Sequence, residues 1–567
     1  MSRESIGFNG ALGQISAPQI NDPCDGINDR FMTSNGTAPS SPRSRGRDHS
    51  TFLVRPIVFL GGVTSVGTEL SASRLIAPYF GSSTFIWANL IGLTLTFLAL
   101  GYWIGGRVAD RSPRPEILFT VTLAAACFVG IIPVMSRPIL LSSLQAFDEV
   151  NIGSFYGALV GVLLLLAVPV TLLGFVTPYA IRLQLDSVAS AGNTAGSMYA
   201  LSTIGSIIGS FLPVLVLIPL LGTARTFLIL GLVLLLPSAL ALLWTGARRS
   251  AVIAVVLAGA VVAIDGFGGS SRIKPPYRGT LVYETESDSN YIQVLNDDGR
   301  YLLALNEGHA IHSIYDPREL LTQGPWDYFM IAPLVLSDPS TAPVQRALLI
   351  GLAGGTAARE LTAAFGPIPI DGVEIDPEVA RVGRRYFGLD APELSNVNII
   401  IEDGRYFLRT ADQRYSLVGV DAYRQPYIPF QLTTKEFFDE VSDHLEPGGT
   451  AVVNVGRTDT DFRLVDAIAS TMASAYTNVF VVDVERYSNS MVIGTNAPAS
   501  VEAFAANVDQ LPADSIIRTV GGRALTTGHI RQVHPGGRVF TDDRAPVESV
   551  VDQIIIDEAR RESQDAP

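Results

Sequence analysis

The sequence predicts two bodies in series: a multi-pass α-helical membrane domain, then an α/β domain built on a parallel sheet. Three observations carry this. Of 567 residues, 48% are hydrophobic and only 17% charged, against about 25% charged in a typical soluble chain. Residues 1–275 hold 17 Lys and Arg against 12 Asp and Glu, a net of +5, whereas residues 276–567 hold the remaining 23 and 42, a net of −19. Long apolar runs crowd the first part, and strand–helix alternation fills the second. The junction falls near Lys274-Pro275-Pro276.

Residues 1–50 are rich in Ser, Gly, Asn, Asp and Pro without an apolar period, a composition that predicts a disordered tail with no signal-peptide pattern. Arg43, Arg45, Arg47 and Arg55 precede the first apolar run and read as a cytoplasmic charge anchor. A spanning helix needs about 20 mostly apolar residues. Residues 51–270 supply about seven candidates, at 56–78, 84–106, 116–135, 155–181, 196–221, 226–245 and 250–265, which predicts a multi-pass protein of the cell membrane with the lipid bilayer as partner. Glycines recur four apart at Gly101/Gly105, Gly157/Gly161 and Gly205/Gly209, a spacing that lets helices approach closely. Glu69 and Arg74 fall inside the first span; five residues turn a helix by about 140°, so they do not share a face. Arg74 is close enough to the helix end to snorkel.

The charge rule puts Arg107, Arg111, Arg114, Arg182, Arg248 and Arg249 on the side of the N-terminus. Seven spans then leave residue 276 onward on the opposite side, in conflict with a domain that uses a cytosolic cosubstrate. Two cysteines, Cys24 and Cys127, exclude a disulfide framework and a multi-cysteine zinc site. His309 and His312 lack a third partner, so no metal is expected. A net charge of −14 argues against nucleic acid as a partner.

Residues 276–336 predict a small β domain followed by a helix. Strands are expected at Thr280–Glu284, Tyr291–Leu295 and Tyr301–Leu305, with Asp297-Asp298-Gly299 as a hairpin turn, and the helix at 326–336. Residues 337–567 predict repeated βα units, with strands at 347–350, 370–373, 397–401, 417–420, 451–455 and 479–484. Such sheets place ligands beyond the carboxyl ends of their strands. There stand Gly351, Gly354 and Gly355 after the first strand, Glu374 and Asp376 after the second, Asp403 and Gly404 after the third, and Asp421 after the fourth. Glycines permit a tight turn and close ligand approach, though a packing turn uses them equally. Glu374 can accept from both ribose hydroxyls, and Asp403 from an adenine amino group. The loop lacks the G-x-G-x-x-G spacing of dinucleotide sites; an adenosyl-sulfonium ligand fits better.

These residues carry a resemblance. Gly351–Thr356, Val373-Glu-Ile-Asp-Pro-Glu-Val-Ala, Glu402-Asp-Gly-Arg-Tyr-Phe-Leu, Val420-Asp421 and Glu446-Pro-Gly-Gly-Thr resemble the spermidine synthase family of polyamine aminopropyltransferases over residues 279–495. The whole chain is similar to that family's membrane-fused members, through Tyr79-Phe-Gly-Ser-Ser, Tyr199–Ser206, Ile218–Thr223 and Thr541–Glu548. The resemblance implies a methyltransferase-like Rossmann fold with a small N-terminal β domain, and a homodimer through the soluble domain, which the family often forms. It implies decarboxylated S-adenosylmethionine as cosubstrate and no permanently bound cofactor. The aminopropyl group would pass to a small-molecule amine such as putrescine, releasing methylthioadenosine. Glu374 would hold ribose, Asp403 and Gly404 adenine, and Asp421 would act as catalytic base or orient the amine.

The departures cluster at the amine end. An expected Asp of the glycine loop is Ala353, a second acid after strand four is Arg424, a Gln is Asn290, and a Tyr-His pair is Trp326-Asp327. Asn290, Asp327, Tyr423 and Arg424 are therefore the candidate acceptor-binding residues. Arg424 would repel a cation and suits a carboxylate or phosphate, or pairs with a nearby acid. Asp327 could replace the lost acid, and Tyr423 and Tyr427 could wall the site or pack its loop. Two other functions stay open at this level: an S-adenosylmethionine-dependent methyltransferase, and a polyamine transport or sensing protein without catalysis.

Overall fold

The computed structural model describes residues 52–565 except 82–83, 149–152, 186, 307–309, 339–342, 425–426, 527–528, 534–535, and 247–272 apart from Val252, Val256 and Gly259. The N-terminal tail, most of the seventh expected span and His309 lie outside the described residues.

Among the described residues, six helices form the first body: α1 (Val54–Phe80), α2 (Thr84–Arg111), α3 (Pro115–Asp148), α4 (Gly153–Gln184), α5 (Ala191–Leu212) and α6 (Thr223–Trp244). α5 runs on through a π turn, Pro213–Leu217, to Leu221. Among the described residues, five stretches are long and apolar enough to cross a membrane: Ile86–Arg111, Pro115–Ser143, Tyr156–Gln184, Val188–Leu221 and Thr223–Trp244. These are the second to sixth of the seven expected spans, and most of the seventh lies outside the described residues. The first expected span does form helix α1, but α1 carries Arg55, Glu69 and Arg74 among Gly, Ser and Thr residues. It packs against every other helix of the bundle, so protein rather than lipid surrounds it and little hydropathy is required.

Small residues set the helix spacing. A Cβ on Gly205 would lie 2.1 Å from the Phe59 carbonyl oxygen of α1, and one on Gly101 2.2 Å from the Thr171 carbonyl oxygen of α4. Gly157 and Gly161 differ, because each receives a side chain, Phe80 and Leu140 respectively.

The helices alternate in direction, which sorts their ends. The N-termini of α1, α3 and α5 share one end with the C-termini of α2, α4 and α6. Arg55, Arg107, Arg111, Arg114 and Arg182 lie there, with Arg182 paired to Asp110 at 3.4 Å and the Tyr179 hydroxyl donating to the Arg114 carbonyl at 3.0 Å. The α/β part docks on the opposite end. Glu286 accepts from the Thr223 amide (2.8 Å) and hydroxyl (2.6 Å) at the start of α6. Lys274 Nζ donates to the Pro78 carbonyl at 2.8 Å, and Arg74 snorkels out of α1 to the Asp288 carbonyl.

Four antiparallel strands, β1 (Thr280–Glu286), β2 (Tyr291–Asp297), β3 (Arg300–Leu305) and β4 (Ile311–Tyr315), form the small sheet in that order. Its second turn has φ of 53° at Asp298 and 84° at Gly299, the positive pair a two-residue hairpin needs. The helix that follows, Pro325–Val335, is a buried 3₁₀ helix. Eight strands follow: β5 (Ala347–Ile350), β6 (Ile370–Glu374), β7 (Val397–Ile401), β8 (Tyr415–Val420), β9 (Leu445–Gly456), β10 (Asn478–Asp483), β11 (Asn489–Thr495) and β12 (Ile530–Val533). Their order is β12-β10-β11-β9-β8-β5-β6-β7. β5 to β9 pair in parallel, whereas β10, β11 and β12 are antiparallel. With β11 inserted between β9 and β10, this is the methyltransferase-like arrangement of a Rossmann sheet, whose order reverses between β5 and β8.

Close backbone contact is the constraint on the bundle, and inserting a methyl group into a packed contact costs about 1–3 kcal/mol. Gly205→Ala is therefore expected to lower thermal stability in detergent by that order. Gly92→Ala, where a Cβ meets nothing within 4 Å, is expected to leave the melting temperature unchanged.

Candidate active site

The strand order reverses where the chain turns after β5, and that point opens into a cleft of about 440 Å³. Gly351 makes the turn at φ +93°; a Cβ there would lie 2.3 Å from the Asp421 carbonyl oxygen. The Asp421 amide donates to the Ile350 carbonyl at 2.8 Å, so the ends of β5 and β8 are locked together. Gly404 packs equally tightly, with a Cβ position 2.3 Å from Ile350. Both glycines line the cleft.

Gly354 and Gly355 do not. Side chains there would strike Ser313 of β4 and Leu389 at 2.8 and 2.2 Å. Gly354 thus lets the loop pack against the small sheet, and Gly355 lets it pack against Leu389 of the large domain. Between them and Gly351, Ala353 holds φ +48° without being glycine. Its amide donates to Glu374 Oε2 at 2.9 Å.

Glu374 ends β6 with its carboxylate at the cleft wall, and also accepts from the Asp376 amide at 3.1 Å. Burial pushes its carboxyl up to about 7, against the pull of these amide donors. Asp376 is placed differently from expectation. Its side chain caps the helix Pro377–Tyr386 by accepting from the Glu378 amide at 2.9 Å. The other oxygen takes bonds from Ser287 and, at 2.8 Å, from Asn290 Nδ2. It is 1% exposed and outside the cleft lining: a clamp between the small sheet and the large one, not a ligand-facing acid.

Asp403 caps the helix Gly404–Thr410 through Oδ1, which accepts from the Arg405 and Tyr406 amides, both at 3.0 Å. Its second oxygen is left for the cleft. Behind it, Arg405 is bidentate to Asp542 at 2.7 and 2.8 Å and bidentate to Glu440 at 2.9 and 3.0 Å. Asp542 belongs to the Thr541–Glu548 motif, which thereby braces the wall of the site.

Asp421 stands at the reversal point. Asn454 Nδ2 donates to its Oδ1 at 2.8 Å, and the Trp326 side chain bonds to it as well. Burial outweighs both donors and pushes the carboxyl up to about 6. Asn454 is itself aimed: its Oδ1 accepts from Asn489 at 2.9 Å, and its carbonyl accepts from the Tyr423 hydroxyl at 2.9 Å. Trp326 and Asn454 were missed as site residues. A lone amide inside the apolar run Ala451–Val455 was the available signal for the second.

Of the four expected acceptor residues, Asn290, Tyr423 and Arg424 line the cleft. Asn290 spends its amide on Asp376 and Asn306. Asp327 is a correction. It is fully buried away from the cleft, accepting from Thr322 and Gln323 and pairing with Arg523 at 3.2 Å. Successive residues of a 3₁₀ helix lie about 120° apart, so Trp326 reaches Asp421 and its neighbour turns away. The Arg424 guanidinium has no hydrogen bond or ion pair among the described residues, which leaves the expected pairing with an acid without support.

The fold and the cleft thus define an α/β domain of the methyltransferase-like Rossmann type, docked on a helical bundle. Residues 330–503 match the spermine/spermidine synthase domain. The chain is 31% identical over 299 residues to a probable polyamine aminopropyl transferase of Bifidobacterium longum, covering 49% of this chain and 65% of that one. It is 23% identical over 495 residues to polyamine aminopropyltransferase 1 of Streptomyces coelicolor, covering 83% of this chain and 89% of that one. A match of that length runs into the helical bundle. A solved probable spermidine synthase from Corynebacterium glutamicum overlaps 47% of this chain and 97% of its own, with 19% identity and a TM-score of 0.36. The chain is thus spermidine synthase-like through its α/β half. It spans just under two thirds of the length of the Bifidobacterium relative.

Ala353 holds a left-handed conformation that costs a non-glycine residue about 1–2 kcal/mol. Ala353→Gly is expected to raise the stability of the ligand-free protein by about 1 kcal/mol, read as a higher denaturant midpoint with unchanged slope.

Proposed function

We propose that this protein is a membrane-anchored aminopropyltransferase. It would move a 3-aminopropyl group from decarboxylated S-adenosylmethionine to a primary amine. The observation that carries the reading is Asp421, a half-buried and doubly hydrogen-bonded carboxylate at the sheet's reversal point, in one cleft with the carboxylates of Glu374 and Asp403. Glu374 would accept from the ribose hydroxyls and the free oxygen of Asp403 from the adenine amino group. The acceptor nitrogen attacks the carbon next to the sulfonium. A C–N bond forms as the C–S bond breaks, and the bonding pair leaves on sulfur, giving neutral methylthioadenosine. The nitrogen's proton passes to Asp421. An ammonium has no lone pair, so a carboxylate held up to about 6 is a base that remains ionised at neutral pH and still accepts a proton readily.

The test is methylthioadenosine release from decarboxylated S-adenosylmethionine, followed by mass spectrometry. Asp421→Asn is expected to lower turnover by about 10²–10⁴-fold while leaving nucleoside binding intact. Both carboxyls are shifted upward, so their protonated, inactive forms persist to higher pH. kcat/KM is expected to fall below about pH 7 as Glu374 protonates, and more steeply below about pH 6 as Asp421 follows. S-adenosylhomocysteine formed from intact S-adenosylmethionine would replace this reading with methyl transfer.

The bundle also has a polarity. Its arginine-rich end satisfies the rule that cytoplasmic helix ends are basic, and the α/β domain docks on the other end. We place the transferase domain on the face of the membrane opposite the N-terminus, which requires the adenosyl donor to be supplied across the bilayer. A C-terminal alkaline phosphatase fusion is expected to be active and a C-terminal green fluorescent protein fusion dark. The reverse result puts the domain inside.

A further inference from the structure

A second cavity, of about 230 Å³, lies in the seam between the bundle and the small sheet. The bundle contributes Leu70, Arg74 and Pro78 of α1 with Ile86, Trp87 and Leu90 of α2. The α/β part contributes Glu286, Tyr291 and three residues it shares with the active-site cleft: Ser289, Asn290 and Arg424. The two cavities therefore adjoin across those three side chains.

Their charges differ in sign. The cleft is lined by six carboxylates, of Asp288, Glu374, Glu402, Asp403, Asp421 and Glu548, and by one arginine, Arg424, at its edge. The second cavity is lined by two arginines, Arg74 and Arg424; Arg74 is attracted first by Asp288 and Glu286, and Arg424 stands close enough to repel it. Its one acid, Glu286, has its carboxylate taken up by Thr223. The Arg424 guanidinium has no partner among the described residues, and its main chain is held by paired bonds to Tyr427 at 2.8 and 3.1 Å. An arginine fixed at its base and free at its fork suits an oxyanion. A linear diamine threaded from Asp421 toward the seam would put its second ammonium against both arginines, a repulsive contact.

We propose that the acceptor is dipolar: a primary amine that also carries a carboxylate or phosphate. The amine lies in the acidic cleft at Asp421, and the anion lies in the seam cavity at Arg424, with Arg74 behind it. Arg424 is the residue that selects against diamines. This rests on the aminopropyltransferase reading for the identity of the reacting end. The apolar wall from α1 and α2, at the end of the bundle, makes an aminophospholipid headgroup and a soluble amino acid the two sources of this chemistry.

The test measures binding first, on the full-length protein saturated with methylthioadenosine. The probes are putrescine, 4-aminobutyrate (the same chain with one ammonium replaced by a carboxylate), and nanodiscs with or without phosphatidylethanolamine. Either anionic amine is expected to bind at least about tenfold tighter than putrescine. Arg424→Ala is expected to abolish that preference, and Arg424→Asp to reverse it. A response to 4-aminobutyrate assigns a soluble source, and one to phosphatidylethanolamine nanodiscs alone a membrane source. Preference for putrescine in the wild type, binding of none of the three, or a preference that survives Arg424→Ala overturns the proposal. Selective binding of an anionic amine without methylthioadenosine release from the true donor would remove the transferase reading and leave the dipolar site standing.

Discussion

The site depends on the close approach of two strand ends. Gly351 has no side chain, so the turn after β5 lies against the Asp421 main chain, and one amide bond to Ile350 closes the contact. Any Cβ at residue 351 would push β8 away. Asp421 would then leave the bonds from Asn454 and Trp326 that aim it, and the cleft between it and Glu374 would lose its width. The chemistry of buried carboxylates follows from this packing: both acids are held by donors, yet burial still raises them. A site kept partly desolvated in this way is poised to trade water for ligand.

A second constraint joins the bodies. Lys274, Glu286 and Arg74 tie the α/β part to one end of the bundle through main-chain and hydroxyl groups of the helices. Three of the tethered segments, at residues 74, 78 and 286–291, also wall the seam cavity. The bundle therefore supplies one wall of that cavity as well as a docking surface: α1 and α2 close the space that adjoins the cleft.

The strand ends were legible because period and position carry the information. Apolar runs of four to six residues, each followed by Gly, Glu or Asp, located β5 to β8 and with them Gly351, Glu374, Asp403 and Asp421. The antiparallel strands β11 and β12 are not legible: β11 follows β10 with no helix between them, which breaks the βα rhythm, and β12 is four residues long with Arg531 and Gln532 at its centre. Asp376 and Asp327 were read as ligand-facing because an acid near a site is chemically plausible. Both instead satisfy buried protein donors, which no spacing reveals. Asn454 and Trp326 come from other strands and turns, and reach Asp421 only through tertiary contact. The bundle shows the same division. Hydropathy located α2 to α6, but the first helix is polar enough to fall short as a span because its neighbours shield it from lipid.

By itself, the sequence determined the two-part architecture, the parallel βα frame and the order of acids along it. Those are properties of composition, period and chain order. Only the tertiary structure decided which acids face the cleft, which arginine stands unpartnered among the described residues, and that helices of the bundle wall the adjoining cavity. Those depend on the direction each side chain takes where segments far apart in the chain meet, as Arg74 meets Asp288 and Arg405 meets Asp542.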